Sequence, residues 1–126
     1  MNEQLEFYQQ FIDAMVRNSK REVTKAWITT DGYPKLEDNE EVNQLLAKLS
    51  AREKQVIAQL VQDGANGAIH DALVYLQEET DLAELKISKD GVNIAVEPYG
   101  TTMYYDFVCR REGDEWPDGE LDEKYK

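Results

Sequence analysis

Apolar residues recur every three or four positions along Ser50–Glu79, which is the spacing of a helix with one buried face. At its start, Ser50 and Glu53 match the capping box, in which two side chains bond free backbone N–H groups at a helix start. The stripe keeps its phase past Gly64 and Gly67, which predicts one long central helix; two helices hinged at the glycines are the alternative. The stripe consists of Ile57, Val61, Ala65, Ala68, Ala72 and Leu76.

The glycines and the apolar middle of this helix predict close packing. A glycine inside a helix costs about 1 kcal/mol relative to alanine, so we expect another backbone to approach Gly64 and Gly67 closely. From Ala68 to Leu76 the helix is apolar on nearly every side, which predicts neighbours on more than one face.

Shorter helices are predicted before the central one. Asn2–Val16 has apolar residues at helical spacing, and a second capping-box match from Ser19 to Glu22 predicts the start of the next helix. An acidic connection at Glu37–Glu41 then leads into a third helix. The expected buried residues are Leu5, Tyr8, Phe11, Ile12 and Met15 in the first helix, Val23, Ala26, Trp27 and Ile28 in the second, and Val42, Leu45, Leu46 and Leu49 in the third.

The C-terminal third of the chain changes to alternating apolar and polar residues. Leu85–Ser88 and Val92–Val96 are predicted strands, joined by a hairpin turn at Lys89–Gly91. A turn at Pro98–Gly100 leads to Met103–Arg111, which the alternation predicts as a third strand. The buried face of that strand would carry Met103, Tyr105, Phe107 and Cys109.

These elements predict an α+β fold, in which N-terminal helices and one long central helix pack on a C-terminal three-stranded antiparallel meander. A length of 126 residues is typical of a single domain over 1–126. Within it we expect a helical part over 1–80, the meander over 84–111 and an acidic tail over 112–126.

The net charge of −12 narrows the classes of partner. It argues against nucleic acid and against anionic membrane surfaces, and it suits a basic protein partner. The single cysteine, Cys109, excludes an internal disulfide and predicts a cytoplasmic location. Self-association through the third strand, as a homodimer, is a further possibility if that strand lies at an edge.

Few residues are suited to catalysis or metal binding. His70 is the only histidine, and Cys109 is expected to be an inert thiol on a buried strand face. Zinc needs three or four ligands, and calcium-loop spacing and phosphate-binding glycine loops are absent. We therefore predict no catalytic residue, no metal site and no cofactor.

Six residues are candidates for binding. Neighbouring side chains on a helix point about 100° apart, so His70 and Asp71 are not expected to pair, and a partner for His70 would be Asp106 or Tyr104. A capped or packed histidine is the alternative to a functional one. The candidates are His70, Asp71, Asp106, Arg110, Arg111 and Trp116.

The end of the predicted third strand allows two interpretations. Arg110 and Arg111 could form salt bridges with neighbouring acids or act together as an anion clamp, since arginine side chains suit carboxylate and phosphate. Trp116 is either an anchor folded onto the body or a hook for a partner. The acids in question are Glu112, Asp114 and Asp118.

Two segments, Gly67–Leu73 and Asp106–Pro117, resemble an uncharacterised family of small bacterial proteins, a domain of unknown function. Leu49–Glu53 is a weaker third match, and the resemblance covers most of the chain. The resemblance implies a bacterial, cytoplasmic protein and carries over no catalytic role.

Two functions follow as hypotheses. The first is a non-catalytic acidic protein-interaction domain, such as an inhibitor or immunity-type protein that covers a basic site. The second is a small-molecule-binding protein or enzyme with a pocket between the central helix and the sheet that uses His70. The scarcity of catalytic groups favours the first over an enzyme.

Overall fold

A computed structural model describes residues 2–117. The predicted acidic tail over 112–126 therefore lies largely outside the described residues. The elements in chain order are α1 (Glu3–Ser19), α2 (Glu22–Ala26) with a π-helical turn (Trp27–Asp31), a 3-10 turn (Glu37–Asn39), α3 (Glu40–Leu46), α4 (Ala51–Leu82), β1 (Ser88–Lys89), β2 (Val92–Asn93) and α5 (Met103–Arg111).

The chain forms two compact units. Within the described residues, the first contains 2–18 and 68–117, and the second contains Ser19–Gly67. The prediction of a single domain over 1–126 stays a prediction. Among the helices that the structure describes, none combines the length and apolar character that a membrane crossing requires.

The long central helix is confirmed. α4 is unbroken over 32 residues, and its start is the predicted capping box. The Ser50 Oγ accepts from the Glu53 N–H at 3.1 Å, and Glu53 Oε1 accepts from the Ser50 N–H at 2.9 Å. The bond from the Ser50 N–H is the main cause that lowers the pKa of Glu53, because a carboxylate that accepts a hydrogen bond is stabilised in its charged form.

The two glycines of α4 do not make the close contact that we predicted. A Cβ built on Gly64 or Gly67 meets no atom within 4 Å. The apolar stretch was also misread, because Ala68, Ala72 and Tyr75 are exposed while Leu73 is 1% exposed. Small exposed alanines raise the apolar count of a helix without requiring neighbours.

The first unit has a core built from both ends of the chain. α1 contributes the stripe predicted for it, with Tyr8 and Ile12 fully buried, and Asn2 caps the helix by accepting from the Leu5 N–H at 2.8 Å. The buried residues that pack together are Tyr8, Ile12, Leu73, Ile94, Ala95, Met103 and Phe107.

The hairpin is confirmed, although its strands are short. Ser88 pairs with Asn93 and Lys89 with Val92, and the described residues contain this two-stranded antiparallel sheet only. Asp90 and Gly91 have φ of 52° and 79°, as a tight hairpin turn requires. Beyond the pair, the Ala95 N–H donates to the carbonyl of Gln4 at 3.3 Å instead of extending the sheet.

The predicted third strand is wrong, because Met103–Arg111 is the helix α5. Thr102 caps it by accepting from the Tyr105 N–H at 3.2 Å, and Gly113 follows its end with a φ of 96°. Arg110 and Arg111 lie in the last turn, where cations favour the negative end of a helix dipole. The N-terminal cap, the cations in the last turn and the glycine after it are helix signals that outweigh the alternation of apolar and polar residues. The predicted three-stranded meander over 84–111 is therefore wrong, and so is its predicted edge strand.

The second unit has its own small core. Ile28, Leu46 and Ala58 are its buried apolar residues, whereas Val23 and Leu45 are exposed, contrary to prediction.

The second capping box is also wrong, because Ser19 is the buried last residue of α1 and Arg21 precedes α2 without a side-chain cap. Instead, the side-chain amide of Gln62 bonds the backbone between α1 and α2. It donates to the Ser19 carbonyl at 2.8 Å and accepts from the Arg21 N–H at 2.9 Å.

We predict that Gly64→Ala and Gly67→Ala each raise the free energy of unfolding by about 0.5–1 kcal/mol. The new methyl group enters open space, and alanine has the higher helix propensity. Chemical denaturation of each variant measures the effect. The control is Gly100→Ala, which should destabilise because Gly100 has a φ of 75°. Destabilisation at Gly64 or Gly67 would contradict the open environment.

Candidate functional site

Asp106 is a buried carboxylate between α1 and α5. It is 6% exposed, and its Oδ2 accepts from the hydroxyl of the fully buried Tyr8. Its Oδ1 accepts from Thr101 Oγ1 at 2.5 Å. Within the described residues, no buried side-chain nitrogen or oxygen lacks a hydrogen-bond partner. The contact joins residues 98 positions apart, so it fixes the last helix onto the first.

Burial raises the pKa of Asp106 because the charged form loses its hydration, and the bonds from Thr101 and Tyr8 oppose that rise. The pKa of Tyr8 is raised by its own burial first and then by Asp106. A carboxyl whose folded pKa exceeds its unfolded pKa favours the folded state most when protonated. The contribution of Asp106 to stability is therefore full below its unfolded pKa and falls as pH rises through its folded pKa.

Arg110 lies one helical turn beyond Asp106 and pairs with Asp13 of α1. Its Nε donates to Asp13 Oδ1 at 2.8 Å and a terminal nitrogen donates to Oδ2 at 3.1 Å, which is the bidentate geometry of a strong ion pair. Another terminal nitrogen donates to the Asp114 carbonyl at 2.8 Å. The salt bridge predicted for Arg110 thus exists, but its carboxylate partner comes from α1 and not from the acids that follow it.

Trp116 packs on this ion pair. The Arg110 guanidinium lies 4.8 Å from the centre of the indole ring, and the indole N–H donates to Asp13 Oδ2 at 3.4 Å. The ring stacks on Tyr99 at 5.5 Å and meets Tyr8 edge-on at 6.0 Å. Trp116 is therefore an anchor folded onto the first unit. We call Asp13, Tyr99, Arg110 and Trp116 the Trp116 cluster.

His70 lies away from that cluster. Its Nδ1 is 3.3 Å from Asp71 Oδ1, so these neighbours do touch, contrary to prediction, in a contact with an 85% exposed Asp71 side chain. The ring of Tyr104 meets the His70 ring edge-on at 5.3 Å, which makes Tyr104 the α5 partner of His70. Asp106, the other suspected partner, is occupied by Tyr8 and Thr101.

Arg111 and Cys109 have local roles. Arg111 lies 3.6 Å from Glu112 Oε1 and 5.4 Å from the centre of the Phe107 ring, so it matches the predicted local salt bridge. Cys109 is half-buried on α5 and not on a strand face. A hydrogen bond with Cys109 raises the pKa of Tyr105.

The six candidates do not share a site. Asp106, Arg110 and Trp116 lie along the α1–α5 contact, while His70, Asp71 and Arg111 have separate surroundings. The pocket was predicted between the central helix and a three-stranded meander. The third strand of that meander is instead the helix α5, so the predicted sheet wall does not form. Among residues 2–117, no group of three or more histidine, cysteine or carboxylate side chains could hold a metal ion. Whether the six residues bind a ligand stays a prediction.

Several organising residues were missed because they lie far from their partners in sequence. Asp13 lies on α1, 97 positions before its partner Arg110. Gln77 is 4% exposed; its Nε2 donates to Glu97 at 3.0 Å, and its Oε1 accepts from the Met103 N–H at 2.8 Å. A polar residue on the buried face of α4 was the available signal for Gln77.

The largest of the grooves we describe runs along α1 beside Trp116. Its volume is about 700 Å³, and it is open to solvent. Its lining consists of residues of α1 together with Lys89 and Trp116. We call it the α1 groove. Its α1 lining consists of Glu6, Phe7, Gln9, Gln10, Phe11, Asp13, Ala14 and Arg17.

Over the described residues, the fold and these contacts define a mostly helical protein with one small hairpin, in which a buried carboxylate and the Trp116 cluster hold α1 to α5. The chain belongs to DUF6547, a family of unknown function, whose model matches residues 1–118. This confirms the resemblance to an uncharacterised domain. No curated protein and no solved structure matches the chain.

We predict that Arg110→Lys lowers the free energy of unfolding by about 1 kcal/mol, because lysine keeps the charge but loses the bidentate geometry and the ring contact. The matched control is the adjacent Arg111→Lys, whose single 3.6 Å contact with the exposed Glu112 should change stability by less than about 0.5 kcal/mol. Denaturation followed by tryptophan fluorescence measures both. Equal effects of the two substitutions on the free energy of unfolding would contradict the larger stabilisation that we assign to Arg110.

Proposed function

We propose that the protein is a non-catalytic interaction domain that binds a basic partner protein, as an inhibitor or immunity-type protein does. The observation that carries this proposal is a face at the C-terminal end of α4 on which Tyr75, Glu78 and Leu82 are exposed and Glu79 is half-buried. We call it the α4 end face, and it consists of Tyr75, Glu78, Glu79 and Leu82. A cytoplasmic location, inferred from the single cysteine, belongs to the same proposal.

The α4 end face combines apolar and acidic side chains at helical spacing. Tyr75, Glu78, Glu79 and Leu82 occupy positions i, i+3, i+4 and i+7, so they lie on one side of the helix. Tyr75 is 61% exposed and Leu82 is 85% exposed. Apolar anchors next to charges suit a protein interface, where the anchors supply affinity and the charges supply orientation.

The carboxylates of this face oppose helix stability. A helix C-terminus carries partial negative charge, and the last turn of α4 has no basic residue to compensate. Within the described residues, no ion pair includes Glu78 or Glu79. Residues that break a local stability rule are expected at functional positions, and a basic partner would neutralise these charges.

The net charge of −12 also attracts a basic partner over distances longer than direct contact. Such a field attracts a basic protein during diffusion, which speeds association at low salt. Binding should then weaken as salt screens the charges. The chemistry required is recognition alone.

The test is affinity chromatography on the immobilised full chain with lysate of the source organism at low salt, followed by purification and titration of the retained protein. We expect a basic protein whose Kd rises about tenfold in the double variant Glu78→Gln/Glu79→Gln, and again in Leu82→Ser. The matched control Glu40→Gln/Glu41→Gln removes the same charge from α3, where both residues are exposed.

Three outcomes would contradict the proposal. The first is that no protein is retained at low salt. The second is that the control pair weakens binding as much as the α4 end pair. The third is a retained protein that is acidic or whose affinity does not change with salt.

A further inference from the structure

The α1 groove differs in charge from the rest of the protein. Two of its lining residues are Arg17 and Lys89, and within residues 2–117 neither forms an ion pair. Asp13 also lines the groove, but Arg110 already neutralises it at 2.8 Å. Glu6 is the remaining carboxylate, so the unpaired lining charges are two positive and one negative.

The groove is elongated along α1. Arg17 lies eleven residues beyond Glu6, which is about 16 Å along a helix axis. Lys89 lies towards the Glu6 end, because it lines a smaller adjoining groove with Glu6; the carboxylates of Glu3 and Asp90 line that adjoining groove and not the α1 groove. The two cations therefore lie towards opposite ends of the α1 groove, with the apolar lining between them.

Aromatic side chains line the stretch between the cations. Phe7 and Phe11 are in edge contact with ring centres 6.4 Å apart, and both are half-buried. Trp116 also lines the groove and is held in place by Arg110 and Tyr99. A volume of about 700 Å³ is within the range of small-molecule sites, although this groove is open.

We propose that the α1 groove binds an amphipathic anion, meaning an apolar or aromatic body that carries a carboxylate or phosphate. Phe7, Phe11 and Trp116 contact the body, and Lys89 or Arg17 binds the anionic group. An anionic ligand is favoured because the paired Asp13 leaves an excess of positive charge here on a chain of net charge −12. The α1 groove and the α4 end face share no residue, so this proposal does not depend on the basic partner.

The test is an NMR titration of the full chain with three probes that share a phenyl body: 4-phenylbutyrate, phenyl phosphate and the neutral 4-phenylbutanol. The readouts are the indole N–H of Trp116 and the side-chain amides of Gln9 and Gln10, all at the groove. We expect at least one anion to shift these signals at millimolar concentration, and the alcohol to bind at least about fivefold more weakly. The stronger anion identifies carboxylate or phosphate as the preferred group.

Charge variants then test which cations act. We expect Lys89→Gln or Arg17→Gln to weaken anion binding about fivefold or more, since each removes a charge-assisted bond. The matched control is Lys86→Gln, which removes the same charge from an exposed residue outside the groove lining. The proposal is overturned if no probe shifts the groove signals, if the alcohol binds as well as the anions, or if Lys86→Gln matches the groove variants.

Discussion

The buried hydrogen bond between Tyr8 and Asp106 is the interaction on which the first unit depends. Asp106 loses hydration in the core, and the hydroxyls of Tyr8 and Thr101 replace the lost water. Because the donors are on α1 and on the loop before α5, both hydrogen bonds to the carboxylate form only when α1 and α5 are packed together. The Asp13–Arg110 pair lies along the same two helices and adds a second long-range link.

Hydrophobic periodicity correctly predicted the elements that depend on interactions between residues close in sequence. The phase of the α4 stripe past Gly64 correctly indicated one helix, and the capping box at Ser50 marked its start. The turn at Asp90–Gly91 marked the hairpin because positive φ angles favour those residues. The reason inferred for the glycines was wrong, since an exposed glycine can persist at a modest cost without any compensating contact.

The prediction of a third strand in the C-terminal third was wrong because a period of two and a period of 3.6 are hard to separate over nine residues. Both periods place Asp106 and Arg110 on one face, so their shared surface was predictable while their environment was not. Tyr8 and Asp13, the partners that decide that environment, lie about 97 residues away. The same distance explains why the sequence left two partners open for His70, Asp106 and Tyr104, of which the structure brings Tyr104 to its ring.

The most direct test of the buried Asp106 contact is the pKa of its side-chain carboxyl, followed by NMR in aspartate-labelled protein, with Asp106→Asn to assign the signal. Burial between α1 and α5 predicts a pKa above the ordinary aspartate value of about 3.9, and hence a stability contribution that falls as pH rises. A value at or below the ordinary one, with a carboxyl that titrates as in an exposed residue, would contradict the assembly of the first unit around Asp106.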